Sequence, residues 1–217
     1  MAPLKIVVLG ASKGTGAAAV KEALARGHDV TAFARSPEKL EAQGIKGDKL
    51  KLLKGDFHDA ASVDAAVAGQ DVVVVTASVG KLGDFKTNPT YYSQGTGYAI
   101  TAMRKHGVNR LVVLSALGAS ESVKLLGFPL KLLMHDFILK RAFADHETQE
   151  HQVRTSGLDW VIARPTRLTD GAAKKQYQAV EALKKVPSSI SRADVASFMI
   201  DAAETRKYVG QAVHLGG

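Results

Sequence analysis

Apolar runs and helical patterns alternate along this chain. Candidate strands are Leu4–Leu9, Asp29–Ala34, Leu50–Lys54, Asp71–Thr76, Arg110–Ser115, Asp159–Arg164 and Gln211–Leu215. Val72–Val75 and Leu111–Leu114 are continuously apolar. Such runs fit parallel strands buried on both faces. Between them lie helical segments: Gly14–Ala25, a start at Ser36-Pro37-Glu38, Ala60–Ala68, Tyr91–His106, Phe137–Thr155 and Ser191–Ala203. Gly27, Gly69, Gly107 and Gly157 follow four of them as stop signals. The β-α-β-α order predicts a Rossmann-type α/β fold, a doubly wound parallel sheet with helices on both faces.

A length of 217 residues supports one such domain over 1–217. A small substrate cleft is expected from about 116–150 and 165–190; the least regular stretch, Ala116–Met134, follows a strand end of the kind where such sheets bind ligands. No cysteine occurs, which excludes disulfides, thiolate metal sites and a cysteine nucleophile. No apolar stretch has signal-peptide or membrane-span character, so the expected location is the cytoplasm. The formal charge of +8 points to an anionic partner. Lys and Arg are scattered and aromatics make up 6%, so that partner is expected to be a small molecule and not nucleic acid.

Chemistry enters where the first strand meets the first helix. Gly10-Ala-Ser-Lys-Gly-Thr-Gly16 has three glycines at a strand-to-helix turn. Gly10 suits a tight turn, Gly14 a close approach of backbone to phosphate, and Gly16 tight helix packing. Ser12 and Thr15 add hydroxyl donors. Arg35 closes the second strand, where an NAD site usually carries a carboxylate. A guanidinium there suits a ribose 2′-phosphate, and Lys13 is placed to assist. NADP(H) is therefore expected over NAD(H). Asp56 and Phe57 after the third strand, and Ala77, Ser78 and Val79 after the fourth, are candidates to border the adenine and the ribose. Capping a helix is the competing role for Asp56 or Asp59.

These residues resemble the atypical and extended short-chain dehydrogenase/reductases, in particular the NmrA-like and biliverdin reductase B (flavin reductase) groups. The resemblance also rests on Arg35–Lys39, Gly107–Ser115, Ser156-Gly-Leu-Asp-Trp-Val-Ile-Ala-Arg-Pro165, Leu168–Asp170 and Ser191–Ala196. It implies that Ser115 is the active-site serine and that Pro165 and Thr166 line the nicotinamide pocket. His135, in the irregular stretch, is a further catalytic candidate. The Tyr-x-x-x-Lys pair of the classical short-chain enzymes is missing: the residues four after Tyr91, Tyr92, Tyr98, Tyr177 and Tyr208 are Gly95, Thr96, Ala102, Glu181 and Ala212. Reduction of a simple ketone needs a proton donor; a conjugated acceptor such as a flavin, quinone or tetrapyrrole needs it less. The expectation is an NADPH-dependent reductase of such an acceptor, with a non-catalytic NADP(H)-binding redox sensor of NmrA type as the alternative. His146 and Glu150 stand four apart on one helix, but a metal centre needs more ligands than this, so none is expected. A monomer or weak homodimer is anticipated.

Overall fold

The computed structural model describes residues 2–78, 88–127, 139–181 and 183–217. Ten strands and five α-helices are described within them. In chain order they are β1 (Lys5–Leu9), α1 (Gly14–Ala25), β2 (Asp29–Ala34), β3 (Leu50–Lys54), α2 (Ala60–Val67), β4 (Val72–Val75), α3 (Tyr91–His106), β5 (Arg110–Leu114), α4 (Lys140–Arg154), β6 (Asp159–Pro165), β7 (Arg167–Thr169), β8 (Gln178–Val180), β9 (Ser189–Ser191), α5 (Arg192–Glu204) and β10 (Gln211–Gly216). Two 3₁₀ turns, Pro37–Gln43 and Ser120–Leu125, complete the set.

The main sheet runs β3-β2-β1-β4-β5-β6-β10-β8. All neighbours are parallel except β8, which pairs antiparallel with β10 at the edge. Strand order reverses between β1 and β4, the switch point outside which such sheets bind ligands. Ile6 and Val8 of β1 enter one core with α1 and α5, whereas Val7 and Leu9 enter a second with α2, α3 and α4. Burial on both faces explains why these strands read as unbroken apolar runs.

Several expected boundaries shift. β6 extends through Pro165, one residue past the expected end at Arg164. The Ser36-Pro37-Glu38 start opens a 3₁₀ turn; proline takes its first position, but the Ser36 side chain makes no capping bond. Strands β7, β8 and β9, three residues each, are not among the expected strands. β7 and β9 form their own parallel pair. The helix expected over Phe137–Thr155 is described from Lys140.

Candidate dinucleotide site

The glycine loop joins β1 to α1. Gly10 has φ +95° and its N–H donates to Phe33 O at 2.9 Å, tying the loop to β2. A Cβ at Gly10 would stand 2.5 Å from Ala77 Cα, and one at Gly16 would stand 2.2 Å from Gly10 O. Side chains at either position would therefore drive the loop off β4 or the helix off the loop. Thr76 Oγ1 donates to Leu9 O at 3.1 Å and holds the end of β4 against β1. Gln43 closes the other flank, with Nε2 donating to Ser12 O at 3.0 Å and to Lys39 O at 2.8 Å.

A cavity of about 440 Å³ opens beside this loop. Eight of the anticipated residues line it: Gly10, Ser12, Lys13, Arg35, Asp56, Phe57, Ala77 and Ser78. Six were not anticipated as site residues: Phe33, Ala34, Ser36, Lys39, Gly55 and Tyr91. Lys39 is the notable addition, because it puts a third exposed cation beside Lys13 and Arg35. Its signal was the Arg-Ser-Pro-Glu-Lys sequence, whose tight turn returns the lysine toward Arg35.

The aromatic wall has its own scaffold. Phe57 is buried, and its ring occupies the space that a Cβ on Gly95 of α3 would fill, 2.2 Å from Phe57 Cε1. His58 Nε2 donates to Tyr91 O at 2.9 Å, and its Nδ1 accepts from Asn88 Nδ2 at 2.6 Å. Those two bonds fix the tautomer with the proton on Nε2. Asp56 accepts from His58 N at 2.9 Å and still borders the cavity. The helix cap is Asp59, which accepts from Ser62 N at 3.1 Å at the start of α2.

Gly14, Thr15, Gly16, Ser115, Pro165 and Thr166 do not line this cavity. Thr15 and Gly16 are buried in the first turn of α1. Thr166 donates to Leu215 O through both N–H (2.9 Å) and Oγ1 (3.2 Å), so its polar groups serve the β6–β10 junction. Val79 and His135 lie outside the described residues.

Ser115 sits at the end of β5, where it meets a network that the sequence did not reveal. Its Oγ donates to Glu150 Oε1 at 2.7 Å. Glu150 also accepts from Ser120 Oγ at 2.8 Å and from Arg164 Nε at 2.9 Å. Arg164 reaches Glu121 as well, with Nη1 to Oε1 at 2.7 Å. Glu150 and Arg164 are both fully buried. Burial alone would push the Glu150 carboxyl up, but the hydrogen bonds and charge of Arg164 and the two serine hydroxyls outweigh it and hold the group ionised. Bonds from Arg164 likewise bring Glu121 down to about 2.

His146, one turn before Glu150, is a different case. Its ring stacks on Tyr92 at 4.0 Å, and Nδ1 donates to Gln149 Oε1 at 2.9 Å. Burial pushes its pKa down, so it is neutral at pH 7. Beside it, Asp145 accepts from Tyr92 N at 2.6 Å and Ser93 N at 3.2 Å, capping α3 from a neighbouring helix. Among the described residues no group of three or more His, Asp or Glu side chains is arranged to hold a metal.

The chain that builds this loop and sheet matches a known family. Residues 10–206 fit the NAD(P)H-binding family model. The chain belongs to this NAD(P)H-binding Rossmann family. That places it with the atypical short-chain dehydrogenase/reductases it resembles in sequence. Among solved structures it is similar to ChuY, an anaerobilin reductase from Escherichia coli O157:H7, at 26% identity and TM-score 0.77, with 98% of this chain and 96% of that one covered. It is equally similar to a putative exported protein from Burkholderia pseudomallei, at 26% identity and TM-score 0.77 over 99% and 100% of the chains. Among curated proteins it is 26% identical to divinyl chlorophyllide a 8-vinyl-reductase of Cucumis sativus, covering 98% of this chain but 52% of the relative. A 2-alkyl-3-oxoalkanoate reductase of Stenotrophomonas maltophilia is 36% identical over 52% of this chain and 33% of its own length. The chain thus spans between a third and about half of these curated relatives. No helix among the described residues is long and apolar enough to cross a membrane.

Proposed function

We propose that this protein is an NADPH-dependent reductase of a conjugated acceptor, of flavin, quinone or tetrapyrrole type. The observation that carries the reading is the state of Ser115. Its proton is directed into a carboxylate that Arg164 keeps ionised. Ser115 is therefore poorly placed to protonate a developing alkoxide, and the chain has no Tyr-x-x-x-Lys pair to replace it. An acceptor that spreads charge over a conjugated system can take its proton from water afterwards. Two relatives are named for reductions of anaerobilin and divinyl chlorophyllide a, both tetrapyrroles, which supports this acceptor class.

The residues present fit the cofactor. Gly10 and Gly16 let the loop pack against β4 and α1 with Gly10 on the cavity wall, and Lys13, Arg35 and Lys39 supply positive charge for a 2′-phosphate where NAD sites hold a carboxylate. When bound, NADPH supplies the hydride. The protein's own part is to grip the adenosine end in the 440 Å³ cavity and orient the acceptor.

The test mixes purified protein and NADPH with FMN, menadione, dichlorophenolindophenol or biliverdin and follows the nicotinamide absorbance. Consumption above the protein-free rate with at least one acceptor is expected. Measurable NADPH binding with no consumption by any of them would defeat the reductase reading in favour of a redox sensor.

A further inference from the structure

Arg192 opens α5, directly after the capping residue Ser191. Its side chain reaches across to the glycine loop. A Cβ built on Gly14 would meet Arg192 Nε at 3.5 Å and Cδ at 3.6 Å, an ordinary van der Waals contact. Gly14 and Arg192 line a second cavity, of about 660 Å³, together with Lys21, Gln43 and Asp170.

The small β7–β9 pair sets this arrangement. Its register ends at Thr169↔Ser191, so Asp170 and Arg192 directly follow the ends of two paired strands. They meet as an ion pair, Nη1 to Oδ1 at 2.7 Å. The Asp170 side chain is 92% exposed, and an ion pair of that kind adds little to stability. Among the described residues this is the one hydrogen bond of the Arg192 side chain, which leaves Nε and Nη2 as unused donors. The placement has a cost as well. A cation in the first turn of a helix opposes the helix dipole, and α1 presents the same positive end at Gly14. The helix ends and Arg192 put positive potential on this side of the loop, against Asp170, the Arg26-paired Glu22 on the cavity wall and the buried Asp194 one turn into α5.

We propose that Arg192 is a pyrophosphate-binding residue of the dinucleotide site and that Asp170 is its resting counter-ion. The proposal rests on the dinucleotide reading of the glycine loop. It adds a second cationic subsite, separate from the Lys13, Arg35 and Lys39 group on the far side of the loop. A guanidinium suits the role because its fork keeps one edge on Asp170 and offers the other to phosphate oxygens. The two subsites divide the labour: Arg192 recognises what NADPH and NADH share, and Arg35 recognises what distinguishes them.

The experiment is a set of direct binding titrations with NADPH, NADH and 2′-AMP, which carries the 2′-phosphate but no pyrophosphate. Arg192→Gln should weaken NADPH and NADH by the same factor, about tenfold, the size of one charge-assisted hydrogen bond. It should leave 2′-AMP unchanged, and that result doubles as the control for folding. Arg192→Lys keeps the charge but loses the fork, and should fall between the two. Asp170→Asn frees the guanidinium and should tighten both dinucleotides. The proposal is overturned if Arg192→Gln binds both dinucleotides like the parent protein, or if it loses 2′-AMP in equal measure. Arg35→Gln separates this from the NADPH reading: it should weaken NADPH and 2′-AMP but spare NADH. Failure of that pattern alone would remove the NADPH preference and leave the role of Arg192 standing.

Discussion

The Ser115 hydroxyl donates to Glu150 Oε1 at 2.7 Å, and both residues are buried. Thirty-five positions separate them in the chain. The bond leaves the serine oxygen as an acceptor toward anything else it meets. A serine that acted as general acid would be worth about 10²–10⁴-fold in rate. Ser115→Ala is therefore expected to lower kcat by less than about 100-fold, the bottom of that range. Steady-state rates with the best acceptor from the panel check this, with NADPH affinity measured alongside.

Arg164 holds the same network from below. It is fully buried and bridges Glu150 and Glu121. Removing it strands the Glu150 carboxylate in the interior. Arg164→Met should destabilise the protein by about 3–5 kcal/mol, as expected when one partner of a buried pair is lost. Adding Glu150→Gln to that variant should restore a good part of the loss, since the stranded charge is gone. Urea unfolding of the parent, the single and the double variant measures both effects.

Acid should weaken this region first at the carboxylates. Glu121 is held down to about 2 by its bonds from Arg164, below the ordinary value of 4.5. Its folded pKa lies below its unfolded one, so its contribution is complete above about pH 4.5 and is lost as pH falls toward 2. The side chain is 45% exposed, so solvent screening keeps the effect modest. Glu150 shifts in the same direction and adds to the slope. Melting temperature should fall across that window, and Glu121→Gln should make the fall shallower without steepening it anywhere above pH 5.

Much of the frame was legible because burial on both sheet faces leaves a coarse mark. Asp29–Ala34, Leu50–Lys54, Gly14–Ala25 and Tyr91–His106 have the boundaries that their apolar runs and flanking glycines suggest. β7, β8 and β9 were not legible, since three residues carry no period and their pairing with β9, β10 and β7 is purely tertiary. At the site, the residues that contribute through the loop and strand ends could be read. Lys39 could be found only by knowing that the 3₁₀ turn folds it back. Glu150 was obscure for another reason: an acidic residue on a helix reads as solvent-facing until its partner is known. Arg164 carried the better signal, a lone charge at the end of Trp-Val-Ile-Ala. Asp145 is similar, because its capping of α3 crosses from one helix to another.

The central claim is that a cavity built for NADPH serves hydride transfer without a strong protein acid. It is tested most directly in a single turnover. Protein saturated with NADPH is mixed anaerobically with biliverdin or menadione, and the nicotinamide absorbance is followed. Loss of that absorbance in proportion to protein is predicted, slowed when the transferred hydrogen is deuterium and lowered less than about 100-fold by Ser115→Ala. Tightly held NADPH that stays reduced with both acceptors, at the protein-free rate, would contradict it.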